Sequence, residues 1–178
     1  DVVLREARQI EITAPSPRGE YHLDWTAEFT AGERAVKLDR TPPKEQSWGG
    51  YAGLSVRFSK ELSDRQVTSD VSPVEFGSGD RHRSRATSMD YNGLIAGEPV
   101  GLALIDHPHN PRHPTPWYVI RSPVMGYINA ALLNDEPMTL EPGEQMTLRY
   151  RLTVHPQRWN SAQLQAAQAE YWRSVDSR

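Results

Sequence analysis

Period-two alternation runs through most of the chain. Its clearest stretch is QMTLRYRLTVH (145–155), where Met146, Leu148, Tyr150, Leu152 and Val154 fall on one face and Thr147, Arg149, Arg151, Thr153 and His155 on the other. That spacing predicts a half-buried β-strand. YHLDWTAEF (21–29) alternates likewise, with Leu23, Trp25, Ala27 and Phe29 opposing His22, Asp24, Thr26 and Glu28. ARQIEIT (7–13), YAGLSVRF (51–58) and VGLALID (100–106) are further strands, and weaker signals lie at 66–76 and 84–90. Pro142-Gly143 marks a turn, so 138–154 is expected to be a hairpin.

One helix is expected, at 161–175. Asn160 precedes it, Gln163 completes a capping box, and Leu164, Ala167, Tyr171 and Val175 form one apolar stripe. A helix so isolated among strands should lie across the outside of a sheet. Strands joined by Gly/Pro-rich connections, without strand–helix alternation, predict a mainly β fold: a single antiparallel β-sandwich over 1–178 with a C-terminal helix. LDRTPPKEQSWGG (38–50) and FGSGDRHRSRA (76–86) are read as long loops, and long loops in a compact domain often carry function.

Composition narrows the function classes. With 37% hydrophobic and 24% charged residues the chain has the make-up of an ordinary globular domain. A net charge of -3 and no basic run beyond RHRSR (81–85) argue against nucleic acid as a partner. No apolar run approaches the roughly 18 residues of a membrane span, and no signal peptide is visible. Asp1 in first place suggests a processed or trimmed chain. Cysteine is absent, which excludes disulfides, thiolate catalysis and cysteine-based zinc sites. The compartment, cytoplasmic or exported, stays open. There is no Gly-x-Ser-x-Gly elbow, phosphate-binding loop or dinucleotide fingerprint, so serine hydrolases, kinases and nicotinamide enzymes are disfavoured and no cofactor is called for.

The densest chemistry is DHPHNPRHPTPWYVIR (106–121). Pro108, Pro111, Pro114 and Pro116 each fix φ and bias the preceding residue toward extended geometry, so the segment is stiff without helix or sheet bonds. Stiffness lowers the entropy cost of presenting side chains to a ligand. Three readings stay open. Asp106, His107, Asn110, Arg112 and His113 could hydrogen-bond a polyol or carboxylate while Trp117 stacks on it, as suits a sugar with one apolar face and a hydroxyl rim. His107, His109 and His113 with Asp106 could ligate a metal, although their spacing matches no specific zinc pattern. Or Asp106 and Arg112 could form an internal network with Trp117 in the core.

The same residues, DHPHNPRHPTPWYV, resemble a family that carries D-H-P-x-N-P-R-x-P-T-x-W-H-V here: the PmoA-like domains, labelled "methane oxygenase", whose function is unknown. WGGYAGLSVRFS, MDYNGLIAGEPVGLALIDHP and MTLEPGEQMTLRYRLTVHPQ are similar to it in family order. Two departures stand out: Tyr118 replaces a histidine, and family members are longer, with an upstream half bearing its own His-rich motif. The resemblance thus implies that an upstream half is missing, or that a companion chain or a homo-oligomer completes the site. The oxygenase label conflicts with the lack of a membrane-spanning segment. What the resemblance implies is a galactose-mutarotase-like supersandwich, or its C-terminal part, found in settings of sugar metabolism.

Arg57 would then bind an anionic or hydroxyl group, or be a plain strand arginine. Trp48 would be a stacking platform or a loop anchor. Asp90 and Tyr91 would close a strand before an Asn92-Gly93 turn. His22, His82 and His155 carry no assigned role, and Asp39, Glu45, Asp70 and Glu75 show no glycosidase-type pairing. The expectation is therefore a carbohydrate-active domain in which His107 or His113 is the general acid or base. Asp106 orients it, Arg112 and Asn110 bind substrate oxygens, and Trp48 or Trp117 stacks. Epimerase, lyase and hydrolase chemistry are not divided. The alternatives are a non-catalytic sugar-binding or assembly module and a His/Asp metal-binding protein.

Overall fold

The computed structural model describes residues 1–41, 49–77 and 79–176. Among these residues twelve strands precede one helix: β1 (Leu4–Ile12), β2 (Tyr21–Ala31), β3 (Val36–Leu38), β4 (Ser55–Phe58), β5 (Ser63–Ser69), β6 (Arg81–Arg85), β7 (Ser88–Ile95), β8 (Glu98–Asp106), β9 (Pro116–Ser122), β10 (Met125–Ala130), β11 (Met138–Leu140), β12 (Gln145–His155) and α1 (Ser161–Asp176). A six-stranded sheet, β1-β2-β12-β8-β7-β5, faces a four-stranded sheet, β4-β10-β9-β6, and β11-β3 forms a separate pair. All pairings are antiparallel.

The expected mainly β, sandwich-like architecture is the one observed. Met89, Tyr91, Leu104, Leu148 and Tyr150 from the larger sheet meet Trp117, Val119 and Ile128 from the smaller in one core. Phe58 stacks on Tyr91 at 4.2 Å between ring centroids, and the Tyr91 hydroxyl donates to the Ile120 carbonyl. The sheets are thus tied by rings as well as by aliphatic burial.

The helix lies where its stripe demands. Leu164, with no exposed surface, packs with Ala103 and Trp159 on the outer face of the six-stranded sheet. The capping box is made in both directions: the Gln163 N–H donates to Asn160 Oδ1 at 3.0 Å and the Asn160 N–H to Gln163 Oε1 at 3.1 Å.

Several local expectations change. The chain does turn at Gly143 (φ 75°), but 138–154 is no hairpin. β11 pairs with β3, whereas β12 enters the large sheet between β2 and β8. A turn signal fixes a reversal of direction, not the partner of the strand that follows. Asn92-Gly93 is not a turn either; both lie within β7, and the reversal comes at Ala96 and Gly97, both at positive φ. Residues 84–90 divide between β6 and β7, where the chain passes from one sheet to the other. The loop expected at 76–86 contains β6.

The polar face of β12 is also less simple than its alternation suggests. Near its C-terminal end Arg151, Thr153 and His155 are buried, because α1 and its lead-in cover them. His155, assigned no role, is 1% exposed. Its ring stacks on Trp159 at 3.8 Å, its Nε2 meets Asp90 Oδ1 at 2.7 Å, and its Nδ1 meets the Gln157 carbonyl at 3.0 Å. Since the carbonyl can only accept, Nδ1 carries a proton. Asn92 Nδ2 donates to the other Asp90 oxygen at 2.6 Å.

Gly101 lies opposite His155 in the ladder, and a Cβ there would collide with the imidazole Cε1. Gly101→Ala is expected to push the ring off both Asp90 and Trp159 and to cost about 3 kcal/mol, at the upper end for overpacking; urea denaturation of the two proteins measures it.

Candidate functional site

β8 ends in a carboxylate that water cannot reach. Asp106 has no exposed surface, and the turn from 107 to 115 is wound around its two oxygens. Oδ1 accepts from Asn110 Nδ2 at 2.7 Å. Oδ2 meets His113 Nδ1 at 2.8 Å and accepts the Thr115 N–H at 3.2 Å. Burial pushes the Asp106 carboxyl above its ordinary value, while the bonds from Asn110, His113 and Thr115 pull the other way. The prolines supply stiffness, and the carboxylate supplies the centre.

Asn110 does a second job. Its Oδ1 accepts the Arg149 N–H at 2.8 Å and its Nδ2 donates to the Arg149 carbonyl at 2.7 Å. The last β8–β12 pair is Asp106 with Tyr150. The amide side chain therefore extends the ladder one step past the end of the strand, acting as a surrogate peptide. Asn110 is buried and fully engaged, so its expected hold on substrate oxygens has no free atoms to draw on.

Arg112 departs from expectation for a similar reason. It sits at φ 66° and sends its guanidinium into the loop after β10. There it donates to the carbonyls of Leu132 (2.6 Å), Glu136 (2.7 Å) and Pro137 (2.8 Å), with the Glu136 carboxylate 3.4 Å away. It is a clamp between two loops. Trp117 is also not a stacking platform. It is wholly buried in the inter-sheet core, its Nε1 donating to the Ala86 carbonyl at 2.9 Å. Arg57 stands exposed on β4, at an edge of the other sheet. Trp48 lies outside the described residues.

The metal-ligand set is not assembled. Among the described residues no three His, Asp or Glu side chains converge to hold an ion. His107 Nδ1 accepts the His109 N–H at 3.0 Å, and His113 turns toward Asp106 instead.

What the turn does present is a hollow. His107 and His109 form one wall of a cavity of about 350 Å³ on the helical side of the large sheet. Its floor is three neighbouring strands: Gln9 and Glu11 from β1, Asp24 and Thr26 from β2, Arg149 from β12. Tyr171 and Val175 of α1 close it. Ladder register explains the assembly, since Gln9 lies opposite Thr26, Glu11 opposite Asp24, and Thr26 opposite Arg149. Asp24 is balanced by Arg151 in a two-pronged pair at 2.6 and 2.8 Å. Burial pushes the Tyr171 phenol up, keeping it a neutral O–H. With Nδ1 accepting a backbone proton, neutral His107 carries its own on Nε2. Arg149 and His109 also line an adjoining cavity of about 490 Å³ that continues along β12.

Of the expected site residues, then, Asp106, Asn110 and His113 are brought together as one network, and His107 alone reaches the cavity. Arg112 and Trp117 do other work, and Arg57 stands on the other sheet away from this cavity. Glu11, Asp24, Thr26, Arg149 and Tyr171 were not anticipated. Each is an ordinary polar-face or stripe residue in its own segment, and only strand order makes them neighbours.

Fold and site define an antiparallel β-sandwich with a polar, ligand-sized hollow under the C-terminal helix α1. Residues 1–169 match the model of DUF6807, a family of unknown function, and the chain belongs to that family. The family's description carries no methane-oxygenase label. No curated protein matches the chain. Among the described residues no helix is long and apolar enough to cross a membrane.

Asp106→Ala would leave Asn110 Nδ2, His113 Nδ1 and the Thr115 N–H facing a void. It is expected to lower stability by about 3 kcal/mol, read from chemical denaturation, and to unlock the turn to hydrogen exchange at Thr115 and Arg149.

Proposed function

We propose that the chain binds a small polyhydroxylated molecule of the sugar class in the cavity beneath α1. The observation that carries this reading is the lining. His107, His109, Gln9, Thr26, Arg149 and the two carboxylates Glu11 and Asp24 offer donors and acceptors around a space of about 350 Å³, large enough for a monosaccharide. A ring of mixed hydrogen-bonding groups on a rigid strand floor matches hydroxyl groups better than it matches an apolar or a purely anionic ligand. The resemblance of DHPHNPRHPTPWYV to PmoA-like domains, which implies a galactose-mutarotase-like sandwich found in settings of sugar metabolism, points to the same class of ligand.

A second reading, proton transfer at a site separate from that cavity, rests on the Asp106–His113 pair, since His113 is not among the residues that line the cavity. An aspartate holding one imidazole nitrogen at 2.8 Å fixes the orientation of the ring and leaves the other nitrogen for proton transfer. His113 keeps 18% of its side chain exposed, and its Nε2 makes no hydrogen bond among the described residues. Epimerisation, elimination and hydrolysis all use such a group.

Calorimetric titration with neutral sugars, sugar alcohols and sugar acids tests the first reading. At least one is expected to bind, with Thr26→Val and Arg149→Met each weakening it about tenfold, or ~1.4 kcal/mol. Absence of heat with the whole panel, or binding indifferent to both substitutions, would sink it. For the second, His113→Gln is expected to abolish turnover of a sugar substrate in an activity assay while leaving binding in the cavity beneath α1, which His113 does not line, within about twofold.

A further inference from the structure

The outer edge of the six-stranded sheet is β1, and among the described residues no further strand pairs with it. Every residue from Arg5 to Ile12 is exposed, including Ile10 at 44% and Ile12 at 65%, with Val2 at 51% and Val3 at 67% just before the strand. Sheet edges are usually blunted by proline, lysine, a bulge or a covering segment. LREARQIEI contains neither proline nor lysine, and its nine pairs with β2 run in unbroken register.

The direction of the free backbone groups can be read from the bonds at either end of that ladder. The Thr13 N–H donates to His22 O at 3.1 Å and the Gly32 N–H to Val3 O at 2.9 Å. Odd positions of β1 are therefore bonded to β2. Even positions (Leu4, Glu6, Arg8, Ile10 and Ile12) turn their N–H and C=O groups to the open edge. An added antiparallel strand must pair there.

We propose that the added strand is β1 of a second copy, related by a two-fold axis through Ala7, which joins two six-stranded sheets into one. Charge selects this register. About Ala7, Glu6 faces the partner's Arg8 and Arg8 faces the partner's Glu6, while Leu4 meets the partner's Ile10 and Val2 the partner's Ile12. Centring on Glu6 or Arg8 would set like charges on the axis, and centring on Gln9 would place Glu6 and Arg8 against isoleucines. Within one chain Glu6 and Arg8 already pair along the strand, with Arg8 Nε 2.6 Å from Glu6 Oε1, so association converts two such pairs into one four-residue cluster. A two-fold axis makes the interface self-complementary and closed.

The pairing reaches the cavity. Gln9 and Glu11 line it, and in this register the partner's Arg5 lies opposite Gln9 on the same face. The second copy thus adds a guanidinium to the cavity rim.

Because the chain has no cysteine, Ala7→Cys gives a direct test. Residue 7 would face itself in a non-hydrogen-bonded pair, with Cα atoms about 4.5 Å apart, within disulfide range. Mild oxidation is expected to convert Ala7→Cys into a covalent dimer, but not Gln9→Cys, whose counterpart is the partner's Arg5. In sedimentation the unaltered chain is expected to be dimeric. Arg8→Glu should weaken the dimer at least tenfold, and the exchange Glu6→Arg with Arg8→Glu should restore it, with circular dichroism confirming that each variant is folded. A monomer at the highest soluble concentration overturns the proposal. So does a dimer indifferent to Arg8→Glu, or cross-linking at residue 9 in preference to residue 7.

Discussion

One carboxylate sets the shape of this protein's most unusual segment. Asp106 is sealed from water at the end of a central strand, and an ionised carboxylate in that position is tolerable only if donors converge on it. The turn that follows is the answer to that requirement. Asn110, His113 and Thr115 bring their donors inward, the chain between them folds through two successive turns closed by the Asn110 N–H on the His107 carbonyl and the His113 N–H on the Asn110 carbonyl, and Arg112 is left to clamp the neighbouring loop. Trp172 of α1 donates its Nε1–H to the Asp106 carbonyl at 3.0 Å and lays its ring near that of His113. The helix is thereby tied to the same residue.

The site follows from this arrangement. With Asp106 and Asn110 fixing the turn against β12, His107 and His109 overhang the outer face of the large sheet. The strand order β1-β2-β12 then puts polar residues from three distant parts of the chain under them. The rigid part of the cavity is backbone ladder. The part nearest the turn is held by side-chain hydrogen bonds. A cavity floored by strands needs little reorganisation to meet a ligand.

The same sheet contains a second buried histidine–aspartate pair, His155 with Asp90. It contrasts with the first in a useful way. Its imidazole is occupied at both nitrogens and stacked on Trp159, so it joins β7, β12 and the lead-in to α1 with no atom to spare. His113 has one nitrogen committed to its aspartate and part of its ring in the open. Two pairs of the same composition thus differ in chemical capacity through exposure and through what the second ring nitrogen meets.

Alternation along 21–29 and 145–155 and the apolar run at 100–106 were enough to place three central strands of the large sheet, because a half-buried strand must write its burial into every second residue and a strand covered on both faces into nearly all of them. The capping box at Asn160 and the stripe through Leu164 and Tyr171 likewise determined the helix and its packed face, since both are local. The proline-braced stretch was legible as special for the same reason. Which of its side chains turn inward was not, because that depends on how deeply Asp106 is buried, and burial belongs to the assembled sheets. Strand partners, the meeting of Glu11, Asp24 and Arg149 at one hollow, and the withdrawal of Trp117 into the core were decided only by tertiary structure. Periodicity reports which face of a segment is covered, but carries no information about what covers it.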